Sequence, residues 1–279
     1  MKRVLVAFTS LALLSLLPLY AQDPPAFEVA SIKEHSGLSS EPTRFAPDRF
    51  NRSDITLSST LGYAYQISEF QIEGGPDWVR TRRFDIEAKA DRIRPAGEVQ
   101  LMVRRLLAER FNLEVHLETQ ERPRYALVFA RSDRKLGPRL KRSAVDCPAI
   151  IAARGPEYQP PATPPRAGDP PSCLFRARLA FRSQTTFIEG QPMSAIAKLL
   201  QPQARRVVVD RTGLSGTWDV ELETEPWIPP DLPANMFGPP RKGLSLFTAL
   251  PEQLGLKLES ERGPVDVLVI DSVDLPTSN

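Results

Sequence analysis

One paragraph of sequence occurs twice in this chain. Residues 244–273, LSLFTALPEQLGLKLESERGPVDVLVIDSV, read as a short amphipathic helix, a strand, a tight turn and a second strand. Leu246, Phe247, Leu250 and Leu254 recur at helical spacing and share one face. Gly255 follows where a helix wants a residue of positive φ. Leu256 and Leu258 alternate with Lys257 and Glu259, the period of a half-buried strand, and Gly263-Pro264 reads as the turn before an apolar return over Val265 to Ile270. The earlier copy is residues 101–132, LMVRRLLAERFNLEVHLETQERPRYALVFARS, with a longer turn. Leu113-Glu114-Val115 falls on Leu256-Lys257-Leu258, and Ala126 to Phe129 on Val267 to Ile270. Upstream, Phe84-Asp85-Ile86-Glu87 resembles Trp218-Asp219-Val220-Glu221. Self-similarity of this kind implies internal duplication.

The rest of the chain divides around that repeat. Phe27 to Ile32 reads as a strand, Thr56 as the cap of a helix from Leu57 to about Ile67, and Gly97 to Phe111 as a second helix. Pro192 opens a helix to Leu200, and Pro251 should shorten or kink the last one. The expected fold is α+β with two related halves. Each is a mainly antiparallel sheet with two helices on one face, in the order β-β-α-β-β-α-β-β. The expected boundaries are a first domain at 22–136, a proline-rich linker at 137–172, and a second domain at 173–279 carrying a proline-rich insertion at 226–240.

Residues 1–21 read as a signal peptide: Lys2-Arg3, an apolar run from Val4 to Leu19, and a cleavage point after Ala21. That run is short for a membrane span, and no later stretch is long and apolar enough for one. Removing Lys2 and Arg3 leaves 34 basic residues against 34 acids, so bulk charge nominates no nucleic acid or other polyanion. The chain is expected to be exported, to the periplasm or beyond. Its two cysteines, Cys147 and Cys173, are then expected to pair, which in the chain-entropy model contributes roughly 3 kcal/mol.

Motifs of catalysis are thin. Two histidines, His35 and His116, have no metal-ligand spacing, and no G-x-S-x-G elbow is present. Ser132-Asp133-Arg134-Lys135 fits S-x-x-K but follows a strand instead of opening a buried helix. Asp85 with Glu87, and Asp219 with Glu221, are carboxylates two apart on strands, so each pair shares a face. Such pairs can do acid–base work when burial separates their pKa values, though a solvated strand face is the commoner reason for them. Arg131, Arg134, Lys135, Arg139, Lys141 and Arg142 form a basic run that suits anionic lipid headgroups or cell-wall polymers, or is a solvated linker edge. Trp78 and Trp227 flank proline-rich segments and can line a groove; Trp78 suits a core anchor equally.

Several segments, in order, carry a family resemblance: FEVASIK, FQIEGGPDW, RRFDIEAKA, LLAERFNLEVHLETQERPRYALVFA, VVDRTGLSGTWDVELE and SLFTALPEQLGLKLESERGPVDVLVIDSV. Together they are similar to an uncharacterised family of exported proteins abundant in soil acidobacteria, whose domain also occurs joined to metallopeptidase receptors of the beta-lactam-sensor type. The resemblance implies an extracytoplasmic sensing or binding module and supplies no catalytic residues. The second half also resembles the short N-terminal domain of secretins and TonB-dependent receptors, a βαββαβ module.

The expectation is therefore a non-enzymatic binding module without cofactor or metal. Its partner would be an envelope protein, a cell-wall polymer or a lipid, met in the crevice between the halves or at a sheet edge. Trp78, Trp227, Arg134, Lys135 and Arg139 are the candidate ligand surface. The alternatives are a carboxylate-based envelope hydrolase and a structural piece of a secretion or receptor assembly.

Overall fold

The computed structural model describes residues 25–37, 48–155, 173, 176–179, 183–225 and 244–276. The expected leader, the insertion at 226–240 and most of the second half of the expected linker lie outside these residues. The fold is α+β, built on three sheets.

The first sheet contains β1 (Val29–Glu34), β2 (Arg49–Thr56) and, between them, β4 (Arg83–Lys89), all antiparallel. On β4, Phe84, Ile86 and Ala88 point inward and are buried, while Glu87 and Lys89 are exposed. Thr56 caps α1 (Leu57–Tyr65) as expected, its hydroxyl accepting from the Ser59 amide at 3.1 Å. The helix stops at Gln66, which takes a left-handed φ of 57°. A 3-10 turn over Glu69–Gln71 then leads to β3 (Ile72–Gly74) and the single turn α2 (Trp78–Thr81). Helix α3 (Ala96–Phe111) buries Met102, Val103, Leu106, Leu107 and Phe111 and packs against α1.

Another antiparallel sheet runs β6-β10-β8-β7, from β6 (Leu140–Arg142), β7 (Arg176–Leu179), β8 (Gln184–Pro192) and β10 (Thr217–Thr224). Its helices are α5 (Met193–Ala204) and α6 (Leu246–Ala249). Pro251 breaks the last helix as expected: α-helical bonding ends at Ala249, and Leu250–Leu254 widen into a π turn that accommodates a residue without an N–H. Gly255 closes it at φ 71°. The stretch expected to begin the linker is built into this sheet, with β6 pairing to β10 over Trp218, Asp219 and Val220. Helix α4 (Cys147–Arg154) follows, capped by Asp146, and tolerates Pro148 because first-turn amides have no helical partner anyway. Cys147 and Cys173 lie at disulfide distance, with Cα atoms 5.3 Å apart.

The two expected hairpins do not close. β5 (Glu114–Phe129) and β11 (Leu256–Ser272) are each one long strand, and they pair antiparallel with each other from Leu256 opposite Phe129 to Ser272 opposite Glu114. Gly263 and Pro264 sit mid-strand opposite Arg122 and Glu121, and Pro123 lies opposite Arg262. The prolines are tolerated because the ribbon is only two strands wide there. β3 joins β11 in parallel over Leu268 to Ile270, and β9 (Val208–Asp210) joins β5 in parallel over Tyr125 to Leu127. Between those contacts each strand is an edge, where a missing N–H leaves no ladder bond unmade.

Each long strand serves both cores. The first cluster takes Leu268 and Ile270 from β11 beside Leu113 at the start of β5; the second takes Leu127 from β5 and Leu256 from β11. The surroundings correspond as well. β4 is flanked by β1 and β2, and β10 by β6 and β8, with β7 added outside. Asn112 and Gly255, both left-handed, turn the chain into the two long strands.

Candidate ligand cleft where the long strands cross

At the middle of the ribbon, Glu261, Gly263, Val265 and Val267 share one face of β11. Val265 and Val267 are buried, and a cleft of about 200 Å³ opens above them. Phe70 and Gln71, just before β3, form one wall; Arg205, Arg206 and Val207, just before β9, form the other; Arg122 and Pro123 complete the rim. Both walls are pinned by polar contacts. Gln71 donates Nε2 to the Asp266 carbonyl at 2.7 Å, and the Tyr125 amide donates to the Val207 carbonyl at 2.8 Å. The Ser68 hydroxyl donates to Gln201 Oε1 at 3.2 Å, tying the first unit to α5. Arg205 ends α5 in the left-handed region at φ 53°.

The charges differ in availability. Arg124, 8% exposed, lies on this same face, over Gly263, and donates Nε to Glu261 Oε1 at 2.7 Å and Nη1 to the Pro264 carbonyl at 2.9 Å. Arg122 is paired to Glu73 at 2.6 Å. Arg206 stacks over the Tyr125 ring at 5.1 Å, and Tyr125 meets Phe247 edge-on at 5.5 Å. Among the described residues, no acidic side chain lies within 4 Å of Arg205 or Arg206, and the cleft lining includes no acid. A larger depression of about 390 Å³ beside β1 is lined by Lys33, Glu34 and Arg82, whose charges offset one another through the Arg82–Glu34 pair at 3.5 Å.

The candidate surface residues are not gathered into one site. Trp78 takes its core role, 6.3 Å from both Phe84 and Phe111. Arg134 donates to the Thr212 carbonyl at 2.9 Å and covers the Phe129 ring. Lys135 is exposed on the turn after β5. Arg139 is held by Glu221 at 3.6 Å, Glu223 at 3.4 Å and Gln253. Trp227 lies outside the described residues. Ser132 opens an exposed turn, without the buried helix that S-x-x-K chemistry requires. The cleft arginines escaped the sequence reading because only the long-range register brings 205–207 beside 122–123. The visible signal was the Arg205-Arg206 pair directly after a helix.

The paired carboxylates part company. Asp219 accepts from the Gly190 amide at 2.8 Å, while Glu221 faces Arg139. Asp85 is the centre of a clasp: it accepts from the Ser53 hydroxyl at 2.5 Å, the Asp54 amide at 3.0 Å and His35 Nδ1 at 2.9 Å. Serine, histidine and aspartate meet here, but Ser53 donates to the aspartate instead of the histidine, so His35 is not placed to take the serine proton. Burial pushes the Asp85 carboxyl up, but the Ser53 hydroxyl, the Asp54 amide and His35 outweigh it and hold it below its ordinary value. The hydrogen bond to Asp85, against the opposing effect of desolvation, raises His35. Among the described residues, no three His, Cys, Asp or Glu side chains form a group that could hold a metal ion.

The clasp has a pH signature. A lowered carboxyl contributes stability above about pH 3.9 that is lost as pH falls through its folded value. A raised imidazole contributes below about pH 6.5 and loses its contribution as pH rises through its folded value. Both are fully present between about pH 4 and 6.5. The melting-temperature gap between wild type and His35→Gln is therefore expected to be widest near pH 5.5 and to narrow by pH 8. A gap that stays flat from pH 5 to 8 would remove the ion pair from the account.

Among the described residues, no helix is long and apolar enough to cross a membrane. No curated protein and no solved structure matches this chain. Residues 58–273, from the first turn of α1 to the end of β11, match a family described as protein of unknown function (DUF3738), and the chain belongs to that family.

Proposed function

We propose that this protein is an exported, non-catalytic binding or sensing module whose ligand sits in the cleft where the long strands cross. The cleft carries this reading: it joins in one place an apolar floor, a polar wall from each unit and two arginines that have no counter-ion among the described residues. Of the four carboxylates that suited a hydrolase, Asp85, Asp219 and Glu221 are engaged in holding loops and strands and Glu87 is exposed, which favours binding over acid–base chemistry. Export is supported by the leader-like first 21 residues and by the cysteine pair, which suits an oxidising compartment. A module of this kind fits the receptor-linked occurrence that the family resemblance implies. We also read the matching connectivity of the two units as an internal duplication whose copies have exchanged the ends of their last strands.

Hydrogen exchange of the mature protein, with and without undialysed envelope extract, tests the site. Slowed exchange is expected at Ile72 and Val208, beside the two cleft walls, with no change along the exposed face of α3 around Leu101. Protection confined to other surfaces, or none, would overturn the reading.

A further inference from the structure

Accepting the cleft as a ligand site, we infer that its ligand is an organic anion: a carboxylate or phosphate group held by Arg205 and Arg206, carried on an apolar body the size of one ring. Four observations lead there. Among the described residues, the lining contains three arginines and no acid. Arg122 is already neutralised by Glu73, and Arg124 beside it by Glu261, which leaves Arg205 and Arg206 as consecutive arginines without counter-ions among the described residues. Both arginines are exposed at the rim of the cleft, so an incoming anion meets two solvated cations next to the buried Val265 and Val267.

The third observation is orientation. Arg206 stacks on Tyr125, and Tyr125 is backed by Phe247, so the guanidinium is held by its face at the edge of the ribbon, with no acidic partner among the described residues. Arg205 sits in a left-handed conformation whose amide is bonded to the Gln201 carbonyl at 2.8 Å, so the backbone that projects both arginines is fixed. The fourth is size. A dry apolar cavity of about 150 Å³ accommodates benzene, so a cleft of about 200 Å³ floored by two valines and walled by Phe70 accommodates one ring or a short branched chain. Aryl carboxylates, aryl phosphates and the terminal residue of a peptide share this chemistry.

The test uses the mature full-length chain and four probes of one shape: 3-phenylpropanoate, phenyl phosphate, neutral 3-phenylpropanamide and cationic 3-phenylpropylamine. Affinities are read by titration while the backbone amides of Ile72 and Val208 are followed by NMR. Both anions are expected to shift those amides and to bind at least 10-fold more tightly than the amide, with the amine weakest. The stronger of the two anions separates a carboxylate from a phosphate source. Arg205→Ala should weaken anion binding about 10- to 100-fold, the range of a lost charge-assisted hydrogen bond. Arg206→Glu should abolish it, and Arg131→Ala, a remote exposed arginine, should leave it unchanged. If either cleft variant fails to fold, the salt dependence of wild-type binding replaces it: affinity for the anions must fall with added sodium chloride while that for the amide does not. Equal binding of the amide at the same two amides, insensitive to Arg206→Glu, would keep the cleft as a ligand site and overturn the anion. Anion binding with no shift at Ile72 or Val208, or no binding of either anion, would overturn the inference; the first of these would remove the cleft as the site as well.

Discussion

A fragment ending at residue 136 is expected not to fold, although it contains the whole first sheet, α1, α2, α3 and β5. What it lacks lies about 130 residues downstream. β3 has β11 as its partner, so it would lose its ladder, and the first core would lose Leu268 and Ile270, which are 0% and 5% exposed. Truncating one such side chain to alanine typically costs 2–5 kcal/mol, and deletion removes both together with the strand that carries them, against a total stability of roughly 5–15 kcal/mol for a domain. The same cut strands the far half of β5, leaving Leu127, with Tyr125 and Phe129, without the core they pack into. An unpaired edge of that length also invites aggregation.

The measurement is near-ultraviolet circular dichroism with urea titration of residues 22–136. No cooperative transition is expected, and one should return when a peptide of residues 255–276 is supplied in trans. The competing outcome is informative. If the fragment folds cooperatively alone, β5 has bent back at Glu121 to Pro123 and closed the hairpin that its own sequence resembles. The exchange of strand ends would then be one of two accessible pairings and would contribute little to holding the units together.

That ambiguity explains how far the sequence could be read. Elements governed by neighbours were legible: the Thr56 cap, the helix from Gly97 to Phe111, the break at Pro251 and the stop at Gly255 each rest on contacts within a turn or two. Pairing was not. A strand, a Gly-Pro or Arg-Pro interruption and another strand show the same alternation whether the chain turns or runs straight. The choice is made by a partner far away in the sequence. The same limit hid the cleft. The run from Arg131 to Arg142 drew attention by charge density, but density is not availability: Arg139 is neutralised by Glu221 and Glu223, and Arg134 is absorbed by Thr212 and Phe129. Arg205 and Arg206 acquire their significance only when β9 is placed beside β5.

Gly263→Ala is expected to destabilise the protein by about 2 kcal/mol, a large effect for one methyl group on a strand. Gly263 does not take a left-handed φ and makes no turn. It is glycine because the Arg124 guanidinium lies directly over it, where a Cβ would collide with Cζ, Nε and Nη2. The end of an arginine can swing away, so the steric part is small. Its loss is electrostatic: leaving that position breaks the bonds to Glu261 and to the Pro264 carbonyl and strands a guanidinium that is 8% exposed. Each such charge-assisted bond is worth about 1.5–3 kcal/mol when buried. Glu261 keeps 32% of its side chain exposed, so its share is discounted for solvent. If this account holds, the two sites are strongly coupled. Arg124→Leu alone should cost about as much as Gly263→Ala, and adding Gly263→Ala to Arg124→Leu should be neutral or slightly stabilising, because alanine has less freedom to lose from the unfolded chain. Urea midpoints of the four proteins at constant m-value give the cycle. Additive losses would mean that Gly263 is required by the backbone of β11 itself, and that the ribbon bends at this point independently of Arg124.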